Sequence, residues 1–109
     1  MTDKIVVLST CASEQEAEKL ARSLVEQRVA ACVNVIPRVR SFYRWQGAVE
    51  SADEYLLVIK SSRERMPALL DSLQRQHSYE VPEALAVSVV DGAANYLNWL
   101  QASLEDETP

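Results

Sequence analysis

The chain has 109 residues, 48% of them hydrophobic and 25% charged, the balance of one folded domain rather than a disordered segment. A formal charge of −5 and a pI near 4.8 work against a phosphate-neutralising surface, so nucleic acid is not an expected partner. No run approaches the roughly 18 apolar residues that span a bilayer. The apolar stretch in MTDKIVVLST is too short for a secretory signal, which points to a cytoplasmic protein with no direct membrane insertion.

KIVVLST reads as a first strand, dense in branched residues. SEQE (Ser13 to Glu16) has capping-box spacing and opens a helix whose Ala17, Leu20, Ala21, Leu24 and Val25 form a one-sided apolar stripe. ACVNVI, continuing through VRSFYRW, supplies a second strand in which Pro37 suits an edge position or a bulge. WQGAVE is a glycine-containing turn into a third strand, EYLLVIKS. These two runs of about a dozen residues exceed the usual strand of about 5 to 6, so a long hairpin projects from the domain. SSRE (Ser61 to Glu64) repeats the capping-box spacing and predicts a second helix carrying Met66, Leu69, Leu70 and Leu73, with Pro67 demanding a late start. ALAVSVV is the fourth strand, and a third helix after Asp91-Gly92 places Tyr96, Leu97, Leu100 and Leu104 on one side.

The order β-α-β-β-α-β plus a terminal helix predicts an α+β, ferredoxin-like sandwich, with two helices covering one face of a four-stranded antiparallel sheet. In that arrangement the first two strands run parallel and the other two run against them. The second sheet face and the projecting hairpin, with Phe42, Tyr43 and Trp45 near its tip, need cover from another chain. A symmetric homo-oligomer built by strand pairing supplies it.

The same topology gathers chemistry at one end of the sheet: the end of the first strand at Cys11, the hairpin tip, and HSYEVPE, which holds the single histidine. Cys11, His77 and Glu83 are the candidate metal ligands, a mixed set of thiol, imidazole and carboxylate suited to copper or zinc. A purely structural role competes: His77 as a helix C-terminal residue meeting the last carbonyls or stacked on Tyr79, Pro82 starting the last strand, and Glu83 paired with Lys60 or Arg44. Cys32 begins the second strand, about 17 Å along the sheet from Cys11, so both cysteines are expected as free thiols. Enzyme activity is not expected, because Cys11, His77 and Glu80 form the one triad the topology could assemble, and the chain lacks nucleophile-elbow, phosphate-loop and metalloprotease motifs.

AACVN (Ala30 to Asn34), SFYRWQG (Ser41 to Gly47), YLLVIKSS, HSYEVPE and YLNWL (Tyr96 to Leu100) resemble, in order and spacing, the CutA divalent-cation tolerance family. The resemblance covers roughly residues 4–104 of a single domain spanning 1–109, with 105–109 as an acidic tail. It implies a ferredoxin-like homotrimer and an association with copper and other divalent metals. The family's copper-linked Cys falls on Ser9 and its His pair on Gln76 and His77, so His77 alone carries over, with Cys11 two residues beyond Ser9. The expectation is a trimeric metal-tolerance protein binding copper or another divalent metal in intersubunit clefts lined by Cys32, Tyr43, Trp45, Lys60, Tyr79 and Glu80. The alternative is a PII-like signalling or scaffold trimer that binds a small organic anion in the same cleft, with Lys60 as its charge partner.

Overall fold

In β1 (Lys4–Cys11) burial alternates, with Ile5, Val7, Ser9 and Cys11 enclosed on one side and Val6, Leu8 and Thr10 half-buried on the other. The enclosed side is roofed by α1 (Glu14–Glu26), which contributes Ala17, Leu20 and Leu24, and by α2 (Met66–Gln76), which contributes Leu69 and Leu73. The structure is a computed structural model that describes residues 2–105, so residues 106–109 of the expected acidic tail lie outside the described residues.

Ser13 caps α1 as its spacing predicts, accepting the Glu16 amide at 3.2 Å on Oγ. β2 (Cys32–Trp45) and β3 (Ala48–Ser62) are 14 and 15 residues long, and Gln46 and Gly47 join them with φ of 50° and 83°. Positive φ at both turn residues gives the mirror-image two-residue turn whose twist matches a hairpin, and Gly47 takes it without steric cost.

The second capping box does not form. Ser61 and Ser62 belong to β3, where Ser62 pairs with Lys4, and the Ser61 hydroxyl donates to the Val29 carbonyl at 2.6 Å. Strand pairing therefore outcompetes the local cap. α2 starts late, as Pro67 demands, with Arg65 at its N-cap and no side-chain capping bond.

β4 (Leu85–Ser88) and α3 (Ala94–Leu104) complete an α+β fold with four strands and three helices among the described residues. The strand order is β2-β3-β1-β4 with every neighbouring pair antiparallel. β1 and β2 therefore point the same way, and β3 and β4 oppose them.

Pro37 sits where the second strand is irregular. Ile36 pairs with Leu56 but Val39 with Glu54, so β2 holds one extra residue there, and Arg38 takes φ 62°. The insertion reverses the alternation of β2. Before it, Val33 and Val35 pack towards the core; after it, Ser41, Tyr43 and Trp45 lie opposite Ala52, Glu50 and Ala48, on the face turned away from α1 and α2.

That outer face carries Ile36, Leu56, Val58, Val6, Leu8, Leu85 and Val87 in adjoining register rows. α3 covers its Lys4 end only: Lys4 Nζ donates to Gln101 Oε1 at 2.6 Å, and Leu100 and Leu104 pack on Ala31. Arg28 and Arg65 donate to the Ser103 and Leu104 carbonyls, capping the C-terminus of α3 with two cations. No helix among the described residues is long and apolar enough to cross a membrane.

Candidate functional site

Where β1 ends, the outer sheet face, the outer half of the hairpin and the α2–β4 turn enclose a cleft of about 670 Å³. Thr10, Ser41, Tyr43 and Trp45 line it together with Glu50, Glu54, Tyr79, Glu80 and Glu83, and its lining holds no Lys or Arg. Of the sequence-predicted residues, Tyr43, Trp45, Tyr79, Glu80 and Glu83 meet here; Cys32, Lys60, Cys11 and His77 do not line it.

Glu54 and Glu50 are the members that sequence reasoning missed. The Pro37 bulge turns Tyr43 and Trp45 onto the face of these two carboxylates, and a bulge of unknown register hides that from the sequence. Glu54 is 6% exposed, and the Tyr79 hydroxyl donates to its Oε2 at 2.6 Å. Burial and this carboxylate push the Tyr79 phenol well above its ordinary value. Burial, then the nearby Glu54 charge, raises Glu83, which makes no ion pair with the Lys60 or Arg44 proposed for it. Glu83 thus stands in a negative, partly desolvated wall that a cation would relieve.

His77 lies behind that wall, at the C-cap of α2. The Tyr79 amide donates to Nδ1 at 3.0 Å, and Nε2 lies 2.8 Å from the Thr10 carbonyl. An amide only donates and a carbonyl only accepts, so the ring is the neutral tautomer with its proton on Nε2 and both nitrogens engaged. It also packs on the Tyr79 ring at a centroid distance of 4.7 Å. Glu16 Oε2 lies 3.7 Å from Nδ1, an ion pair only for a protonated ring, which the Tyr79 amide opposes. The main partners of Glu16 are the Ser78 amide at 2.7 Å and the Ser78 hydroxyl at 2.9 Å. Burial acts to raise the Glu16 carboxyl, but these bonds, with the Ala12 amide, hold it below its ordinary value.

Cys11 is fully buried with its thiol towards the Ser13 carbonyl, and burial, then the Glu16 charge, pushes it up to about 11. The thiolate a soft metal needs is thereby disfavoured. No group of three or more His, Cys, Asp or Glu side chains among the described residues converges to hold a metal within one protomer. Cys32 faces Lys60 five register positions along β3 from the Tyr55 partner of Cys11, and both cysteines are free thiols.

A family model described as CutA1 divalent ion tolerance protein matches residues 5–103. The divalent-cation tolerance protein CutA of Pectobacterium atrosepticum is 43% identical over 104 residues, 95% of this chain and 94% of that protein. The crystal structure of CutA from Xylella fastidiosa superposes with a TM-score of 0.93 at 38% identity, covering 95% of this chain and 100% of that one. The CutA of Archaeoglobus fulgidus, described as a periplasmic divalent cation tolerance protein, superposes with a TM-score of 0.91 at 32% identity, covering 94% of this chain and 99% of that one. With a family match over nearly its whole length and relatives above 40% identity, the chain belongs to the CutA1 divalent ion tolerance family.

Proposed function

We propose that this chain is the protomer of a cytoplasmic, ferredoxin-like homotrimer that binds divalent cations, copper foremost, and serves metal tolerance as a binding protein rather than a catalyst. The observation that carries the reading is the cleft wall: Glu50, Glu54, Glu80 and Glu83 line it with no basic side chain among them. Of the expected ligand set, Glu83 faces this cleft, while the Cys11 thiol and His77 ring sit behind it with their donors occupied or protonated. Carboxylate donors suit Cu(II) and harder divalent ions, whereas Cu(I) would require the thiolate. Donors from a neighbouring hairpin would complete a ligand set that one protomer leaves open. The two free cysteines fit a reducing compartment.

A small organic anion finds no such support. It would face four carboxylates, and Lys60, its intended partner, lies six residues along β3 from Glu54 and is held by Asn34 and Cys32.

Calorimetric titration with Cu(II), Zn(II) and Cu(I), with light scattering for mass, tests both halves. Cu(II) is expected to bind more tightly than about 1 mM, and Glu83→Gln to weaken it about tenfold. The cation must displace the proton that the raised Glu83 holds, so affinity climbs as pH rises from the ordinary carboxyl value of 4.5 and levels off above the raised one. Equal binding by wild type and Glu83→Gln overturns the site. A stable, lone 12.2 kDa particle overturns the trimer.

A further inference from the structure

At the base of the hairpin, Cys32 of β2 and Lys60 of β3 are direct register partners, both half-buried. Lys60 Nζ donates to Cys32 Sγ at 3.8 Å and to the Asn34 Oδ1 beside it. The backbone is pinned at this row, because the Ala31 amide donates to the Lys60 carbonyl at 2.8 Å. Thiol and amine therefore meet through side-chain rotation alone. Neither residue lines the acidic cleft. Cys11, the other thiol, is fully enclosed and held protonated by burial, so oxidative chemistry falls to Cys32.

We propose that Cys32 and Lys60 form a reversible covalent cross-link, a sulfenamide between Sγ and Nζ, when the protein meets a peroxide. The Cys32 sulfur attacks one peroxide oxygen: an S–O bond forms, the O–O bond breaks, and the departing hydroxide takes the thiol proton and leaves as water. Sulfur is oxidised to the sulfenic acid and the peroxide is reduced. Nζ gives its ammonium proton to solvent and, as the free amine, attacks that sulfur. The N–S bond forms, the S–O bond breaks, and hydroxide leaves with one amine proton as a second water, so no further oxidant is consumed. A small thiol reverses the link by attacking sulfur and returning the pair of electrons and a proton to Nζ; a second thiol then frees Cys32. The cross-link ties the base of the hairpin and removes one positive charge from the outer sheet face. A Cys11–Cys32 disulfide is excluded as the competing product, because five register positions of strand put the two sulfurs on the order of 17 Å apart.

The test is peroxide treatment of the wild-type assembly followed by tryptic peptide mass spectrometry with and without dithiothreitol. The expected result is loss of cleavage after Lys60, and a linked species joining the Cys32 and Lys60 segments with a mass about 2 Da below their sum, reversed by the reductant. Lys60→Arg keeps a cation beside Asn34 but not the nucleophilic amine, so its Cys32 sulfenic acid should label with dimedone several-fold more than that of the wild type. Cys32→Ser should yield no linked species. Wild-type Cys32 that labels fully with dimedone while Lys60 stays cleavable overturns the proposal. So does a thiol that peroxide leaves untouched, or one that goes wholly to a disulfide between protomers.

Discussion

The Ser9 hydroxyl is fully enclosed between β1 and the helices and has no hydrogen-bond partner among the described residues. A buried hydroxyl stripped of water costs about 1 to 3 kcal/mol when it bonds to nothing. Ser9→Ala removes the hydroxyl with almost no change in volume, so it should stabilise the fold by about 1 kcal/mol, seen as a higher denaturation midpoint at unchanged slope. A lower midpoint would mean that the hydroxyl is satisfied. That a serine closes the apolar run of β1 is legible in the sequence, but whether its side chain is paired depends on which atoms of α1 and α2 close over it. His77 is similar. Its place at a helix end beside Tyr79 is legible, whereas the Thr10 carbonyl that occupies Nε2 comes from a residue 67 positions away.

At the scale of elements, two identical spacings had opposite fates. SEQE caps α1, while the two serines of SSRE are absorbed into β3, because Ser61 and Ser62 continue the pairing with β1 that Leu57 and Ile59 drive from the core. A local signal holds only where no long-range partner claims the same residues. Glu16 in the surviving cap goes further, fastening the start of α1 to the α2–β4 turn through Ser78. Glu16→Gln should cost about 1 to 2 kcal/mol at neutral pH, since charge-assisted bonds are lost. The folded carboxyl lies below its ordinary 4.5, so its contribution is present above that pH and is lost as pH falls through the lowered value. Wild type and variant should therefore converge in stability on acidification; a gap that stays constant with pH would show that the charge is not the cause.

The whole molecule measures 49 × 29 × 23 Å with a radius of gyration of 14.7 Å, where a compact chain of this length would have about 13 Å. The excess is the hairpin, whose length was legible in the two long apolar runs and whose face reversal at Pro37 was not. On its outer part Trp45 is 46% exposed on the outer sheet face, Phe42 and Val49 are 69% and 67% exposed on the opposite face of the hairpin, and Leu85 and Val87 are exposed on β4, beside Leu8 and Val6. None of these belongs to the core clusters of its own protomer, so their burial must come from another copy if it comes at all. A half-exposed indole flanking a cleft is the kind of residue that anchors an interface, where truncating such an anchor costs about 2 kcal/mol or more. Trp45→Ala should therefore leave the secondary structure unchanged by circular dichroism, because the indole supports no core packing. Its mass by light scattering should fall towards the 12.2 kDa protomer on dilution to low micromolar concentration, where the proposed wild-type trimer should stay assembled. An unchanged mass at that concentration would place the interface elsewhere on the sheet and leave the hairpin as an arm with no partner.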